Sequence, residues 1–333
     1  MTATAEGGTT RLRIAVTGAS GFVGSVLTQW LAVRGHEVVA VTRGARLAGS
    51  SGKVRQIAGL SDAEGLRRAF ECTDVVVHLA ARAHVLREHE ADPLAAFRRV
   101  NVDGARAVYD AARDAMVRRF VFLSSIGVIG SGDSAPYRET DPPRPTTPYG
   151  VSKLEAEQAL AEARASGGVE YVVLRPTLVY GSGVGGNFRR LLRLAQLARR
   201  LPLPLGGIAN QRSFTSVKNL SSAIEAASTH PAAAGQTFLV SDGEDLSTSD
   251  LIAQLAAGLG SPARLLYCPT GLLRIAAGAL GRKEEMERLL GSLVVDSSHI
   301  QRQLAWRPPQ SVTEGLAETA AWWKSESSPR LRK

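Results

Sequence analysis

Tyr149 and Lys153 stand four residues apart in Tyr149-Gly150-Val151-Ser152-Lys153, so a helix would set both on one face. An ammonium beside a phenol favours the phenolate and lowers the tyrosine pKa, which makes the pair a usable acid/base near neutral pH. Ser125 closes an apolar run over 120–123 through Ser124-Ser125, and its hydroxyl could hydrogen-bond the same substrate oxygen. Tyr-x-x-x-Lys is common by chance and, alone, describes an exposed helix pair. Its setting argues for chemistry, because Tyr149 follows Pro148, a strand ending in two serines and, far upstream, a glycine turn.

That turn follows the apolar run Ile14-Ala15-Val16 as Thr17-Gly18-Ala19-Ser20-Gly21, after which 22–30 resumes with helical spacing. Strand, glycine turn and helix place backbone N–H groups and a helix N-terminus against a phosphate. Gly18 allows the tight turn, Gly21 the approach of a pyrophosphate, and Gly24 close packing of helix on strand. The spacing is G-x-x-G-x-x-G rather than G-x-G-x-x-G. Any tight strand-to-helix connection can use three glycines; the context favours a dinucleotide site.

A sheet must carry these groups. Residues 36–42, 54–57, 74–79, 120–123 and 170–174 read as strands. Helical patterns lie between them: a stripe of Leu66, Ala69 and Phe70, one long helix over 92–116 opened by Asp92-Pro93, and another over 149–165. This alternation predicts an α/β fold, a doubly wound parallel sheet of Rossmann type. Residues 130–148, rich in proline, read as a loop. Beyond Gly181 the alternation loosens into helices over 187–200, 219–227 and 248–259 and strands over 213–217 and 237–240. The expected division is a dinucleotide-binding domain, 11–180, that carries the catalytic residues, and a smaller, mainly substrate-binding C-terminal lobe, 181–325. One strand or helix of that lobe is free to return to the sheet, and 1–10 and 326–333 read as loose tails.

The 333 residues, 44% hydrophobic, suffice for a sizeable core. Cys72 and Cys268 show neither metal-ligand spacing nor a disulfide framework, so no metal and a cytoplasmic location are expected. Residues 1–10 lack the basic and apolar regions of a signal peptide, and no apolar run is long enough for membrane insertion. The net charge of +9 raises nucleic acid as a partner. The arginines are scattered, however, with no aromatic residues between them, so no nucleic acid is expected. A solvated basic surface that attracts anionic substrates accounts for the charge.

With these motifs assembled, the chain resembles the extended short-chain dehydrogenase/reductases of the NAD-dependent epimerase/dehydratase type, which act on nucleotide sugars. The resemblance spans about 11–315 and rests on TGASGFVG (17–24), DVVVHLAA (74–81), Asn101-Val102, SSIGVIG (124–130), YGVSK (149–153) and RPTLVYG (175–181). It implies Tyr149 as catalytic acid/base, Lys153 holding the nicotinamide ribose and tuning Tyr149, and Ser125 orienting the sugar oxygen. It also implies a cofactor lying on Gly18, Ser20, Gly21, Phe22, Val23 and Gly24. From there the cofactor would pass Thr42 and Arg43 and run along Leu79, Ala80 and Ala81 to Pro176. His78 then reads as a packed strand residue, and Asn101 as the holder of an internal hydrogen bond or a water.

In the second lobe, Asn187 and Arg212 match positions where the family's UDP-sugar enzymes grip the diphosphate, a task suited to arginine's planar fork. Asn187 could instead cap the helix that follows. Leu293, three residues before Asp296, matches a position where side-chain bulk governs acceptance of a 2-N-acetyl group, and leucine leaves room there. A homodimer is compatible with the resemblance.

The departures narrow the chemistry. Family dehydratases place Asp-Glu after the serine or threonine; here Ile126 and Gly127 carry no titratable group, and Gly127 leaves room for a sugar. NAD-holding members usually end strand two with an acid, whereas Thr42-Arg43 offers a cation able to meet a 2′-phosphate. Gly59 stands where relatives often place an Asp for the adenine amino group.

Two enzymes fit. One is a UDP-hexose 4-epimerase with tightly bound NAD, in which the C4 hydride leaves and returns to the other face. The other reduces a UDP-4-keto-6-deoxy-(N-acetyl)hexosamine with NADPH. Thr42-Arg43 favours NADP(H) over NAD(H), and so the reductase. LPLPLGG, NQRSF and VSDGEDLSTSDL are also similar to bacterial enzymes linked to UDP-N-acetylquinovosamine in surface-polysaccharide synthesis. A non-catalytic NADP(H)-binding sensor is disfavoured because Tyr149 and Lys153 are both kept.

Overall fold

The computed structural model describes residues 11–44, 52–83, 90–132 and 135–327. Strand β1 (Arg13–Thr17) buries Ala15 and Val16 completely because parallel partners flank it on both sides and helices cover both faces. Helix α1 (Phe22–Val33) leads to β2 (Glu37–Thr42) and β3 (Lys53–Gln56). Asp62 caps α2 (Ala63–Phe70) through Gly65 N, and β4 (Val75–His78) follows.

The long helix expected over 92–116 is interrupted. Asp92 caps α3 (Pro93–Arg98), a π turn occupies Arg99–Asp103, and α4 (Gly104–Asp114) resumes. The extra residue in the π turn directs Asn101 inward, where it is buried. Next come β5 (Arg119–Leu123), α5 (Pro148–Ala165) and β6 (Glu170–Pro176).

The later chain supplies β7 (Leu178–Tyr180), α6 (Gly186–Ala198), β8 (Arg212–Ser216), α7 (Val217–Thr229), β9 (Thr237–Val240), β10 (Asp245–Leu246) and α8 (Thr248–Gly258). It ends in α9 (Thr270–Ala279), α10 (Lys283–Leu290), α11 (Ser298–Leu304) and α12 (Val312–Glu326). A capping box of Ser311 and Glu314 opens α12. The tail expected from 326 therefore starts inside this helix, and residues 1–10 and 328–333 lie outside the described residues.

Seven parallel strands form the main sheet in the order β3-β2-β1-β4-β5-β6-β9. It is a Rossmann-type, doubly wound α/β sheet, and β9 reaches it from the C-terminal half of the chain. One core lies between the sheet and α1, α7 and α11, and a second between the sheet and α2, α4 and α5. A third gathers α6, α8, α10 and α12 around a small sheet of order β10-β8-β7. The proline-rich loop is tied down at Tyr137, which donates its backbone N–H to Val294 O at 2.9 Å. Among the described residues no helix is long and apolar enough to cross a membrane.

Candidate active site

Thr147 caps α5 through Gly150 N, and Pro148 occupies its first turn, so Tyr149 and Lys153 fall on consecutive turns above the end of β5. Lys153 is buried; its Nζ donates to Leu123 O at 2.7 Å and lies 4.4 Å from the centre of the Phe122 ring. Burial pushes its pKa down to about 7, against the pull of the Glu157 carboxylate. Tyr149 is half-buried, edge-on to Phe97 at 6.1 Å between ring centres. Burial pushes its phenol up to about 12, and a hydrogen bond with Ser125 pulls the other way. The sequence leads one to expect a phenol lowered by its lysine. In the structure the shift runs upward, with desolvation as its largest cause and the Ser125 hydrogen bond opposing it.

Ser125 is fixed by its own chain, since its Oγ accepts from Gly127 N at 3.1 Å and caps the short turn Ile126–Val128. A Cβ added at Gly127 would meet Ser125 Oγ at 3.4 Å, so the glycine leaves space beside the serine. Asn101 accepts from Arg82 N at 2.8 Å and donates to Arg82 O at 3.1 Å and Ser152 Oγ at 2.9 Å. Ser152 Oγ donates in turn to Tyr149 O at 2.8 Å, so the π turn steadies the turn that carries the tyrosine. His78 is a packed strand residue, bonded through Nδ1 to Thr17 Oγ1 at 2.7 Å and held at down to about 3 by burial and the Lys153 charge. Sequence reasoning passes over Glu157, one turn further along the same face; the repeated four-residue spacing marks it.

The dinucleotide motif sits where the strand order reverses, at the carboxyl ends of β1 and β4. Gly18 has φ +70°, and a Cβ there would come within 2.7 Å of Ala80 N, so only glycine lets the turn close against β4. A Cβ on Gly24 would meet Gly18 O at 2.2 Å. Gly21 begins α1 with no side-chain cap, which leaves the first-turn amides of Phe22 and Val23 for an anion. Ser20 is exposed beside them. Half-buried Leu79, Ala80 and Ala81 continue from β4, and buried Pro176 ends β6. This cradle fits a dinucleotide cofactor.

Thr42 is buried and donates its Oγ1 to Gly44 O at 2.6 Å, while Arg43 is exposed. A Cβ at Gly59 would make one ordinary contact, with Ser61 Oγ at 3.9 Å, and the carboxylate of Asp62 is spent on Ala58 N and Gly65 N.

Beside the small sheet a cavity of about 520 Å³ is lined by Leu191, Leu194, Phe214, Leu251 and Met286, and by Asn187 and Arg212. Asn187 is exposed on the first turn of α6, and Gly185 rather than Asn187 occupies the capping position. Arg212 Nη1 donates to Arg288 O, and burial lowers the guanidinium pKa. None of Ser125, Tyr149 and Lys153 lines this cavity. Leu293 joins the two regions. Its N–H donates to Gln211 O and its carbonyl accepts from Ser213 N, both at 2.9 Å, alongside Arg212. Its side chain packs against the cluster of Ile126, Ile129, Leu239 and Val295, of which Ile126 follows Ser125 in the chain.

Residues 14–241 match the model of the NAD dependent epimerase/dehydratase family. A UDP-glucose 4-epimerase of Vibrio cholerae is 38% identical over 92% of this chain and 94% of its own length. A dTDP-glucose 4,6-dehydratase of Streptomyces griseus is 31% identical over 94% of each chain. The solved structure of MoeE5 in complex with UDP-glucose and NAD superposes with TM-score 0.72 at 27% identity, covering 95% of this chain and 100% of its own. The chain therefore belongs to the NAD dependent epimerase/dehydratase family.

Proposed function

We propose that this protein carries out oxidation and reduction at C4 of a UDP-sugar, as a UDP-hexose 4-epimerase. The observation that carries the reading is Ser125, Tyr149 and Lys153 gathered at the carboxyl end of the dinucleotide-type sheet. A bound nicotinamide dinucleotide would accept the C4 hydride and return it. Gly18, Gly21 and the first-turn amides of α1 would hold the pyrophosphate, and Lys153 the nicotinamide ribose. Tyr149 exchanges a proton with the C4 oxygen, which Ser125 orients by hydrogen bonding. Ile126 and Gly127 supply no acid or base to expel a neighbouring hydroxyl, which supports epimerisation over dehydration. Arg212 and Asn187 would grip the diphosphate, and the aliphatic cavity would take the nucleoside. The near full-length relationship to the Vibrio cholerae epimerase supports this choice.

A second reading, reduction of a UDP-4-keto-6-deoxy-(N-acetyl)hexosamine with NADP(H), is favoured by the exposed Arg43 at the end of β2. It keeps the same residue roles, and a protonated Tyr149 suits the delivery of a proton. The test is to identify the nucleotide that copurifies and to follow UDP-glucose and UDP-galactose by NMR. The proposal expects bound NAD and interconversion with no added cofactor. Absence of interconversion, with added NADPH oxidised only by the 4-keto sugar, would overturn it in favour of the reductase. In that case Arg43→Ala raises KM for NADPH more than KM for NADH.

A further inference from the structure

Beneath Lys153 lies a buried ionic cluster that no step above uses. Tyr149, Lys153 and Glu157 follow one another every four residues along α5. The Glu157 carboxylate accepts from Arg175 Nε at 3.0 Å and from Arg175 Nη2 at 2.5 Å, both donated from β6. It also accepts from Ser124 Oγ at the end of β5. The Glu157 and Arg175 side chains are 9% and 8% exposed, so the pair is almost out of water. A buried ion pair is weak evidence for stability, since apolar side chains of equal volume often do as well. Its position is the informative feature.

Ser124 stands between Leu123, whose carbonyl holds Lys153 Nζ, and Ser125, which bonds Tyr149. One link thus runs from Arg175 through Glu157 to the three-residue strand end that touches both members of the catalytic pair. The titratable and charged groups around the ammonium are Tyr149 and Glu157 on its own helix, His78 on β4 and Arg175 on β6. The π turn brings the uncharged Asn101, and Arg98, Arg99 and Asp103 beside it are exposed. Glu157 is the only anion in this set.

We propose that Glu157 is a positioning residue, a role that rests on the catalytic reading of Tyr149 and Lys153: clamped by Arg175, it keeps Lys153 an ammonium and, through Ser124, fixes Ser125 against Tyr149. It touches neither sugar nor cofactor. With the Glu157 carboxylate pulling upward against burial the lysine stands at about 7, so that one carboxylate decides its charge at neutral pH.

The test is an NMR titration of isotope-labelled lysine Nζ, with Lys153 assigned from a Lys153→Met protein, alongside turnover of UDP-galactose. In Glu157→Gln the Lys153 midpoint should fall by about one pH unit. The kcat limb that reports loss of the Lys153 proton should move to lower pH with it, while KM stays unchanged. Ser124→Ala leaves both buried charges paired and keeps the test open where Glu157→Gln does not fold. It should lower kcat about tenfold through misplacement of Ser125, with the Lys153 midpoint unmoved. Glu157→Asp should restore the midpoint. An unmoved midpoint in Glu157→Gln, or full kcat in Ser124→Ala, would overturn the proposal. A wild-type protein without turnover would instead sink the sugar reading and leave the substrate-free titration to decide this one.

Discussion

At the scale of single residues, burial sets the state of each group more than its neighbours in sequence do. Burial favours the phenol form of Tyr149, so its hydroxyl proton is the group to remove. Tyr149→Phe should lower kcat by ~10²-fold or more, because proton transfer to the C4 oxygen is lost. Cofactor affinity by calorimetry should be nearly unchanged, and full activity would remove Tyr149 from the mechanism. His78 gives a pH effect of known sign. Its folded pKa of about 3 lies below the ordinary 6.5, so the unfolded chain binds more protons between those values. The stability it contributes is complete above pH 6.5 and is lost as pH falls toward 3, at about 1.4 kcal/mol per pH unit. Urea midpoints measured at pH 6.5 and 4.5 should fall less in His78→Phe than in the wild type. Equal falls would mean that the imidazole is not held neutral.

At the scale of elements, the strand-turn-helix motif is the part most legible in the sequence, because backbone contact forces each glycine. A Cβ on Gly24 would stand 2.2 Å from Gly18 O and 2.7 Å from Ala19 Cα, atoms that cannot give way. Gly24→Ala should therefore cost about 1–3 kcal/mol of stability and weaken cofactor binding. Gly127→Ala meets only ordinary contacts, so it should leave thermal stability intact while raising KM for the sugar. A Gly127→Ala protein with unchanged KM would remove that glycine from the sugar site. The continuous helix expected over 92–116 hid the π turn, because no buried apolar residue lies between Phe97 and Ala105 to register the change of phase. Only Asn101, a polar residue buried by its bonds to Arg82 and Ser152, shows why the insertion is there. Glu157 was equally hidden, since its partners Ser124 and Arg175 come from two different strands.

At the scale of the whole molecule, Ser125, Tyr149 and Lys153 and the apolar cavity beside Arg212 belong to different parts of the chain. Their connection could not be read from sequence, because it depends on how residues 292–295 thread between them. Leu293 bridges to Arg212 through its backbone and packs against the cluster that holds Ile126 and Ile129; under the proposed function a UDP-sugar held at Arg212 would extend past it toward Ser125. Arg212 is the anchor that can be tested. Burial already lowers its pKa, and among the described residues only Nη1 is engaged, with backbone carbonyls of Arg288 and Gly291. Under the proposed function Nε and Nη2 would grip the diphosphate. Arg212→Ala should weaken UDP binding roughly tenfold or more, the weight of a charge-assisted hydrogen bond of ~1.5–3 kcal/mol. Cofactor affinity should not move, because the dinucleotide cradle lies on β1 and β4. Calorimetry with UDP alone isolates this contact from catalysis. Equal UDP affinity in both proteins would mean that the cavity is not the nucleotide's seat.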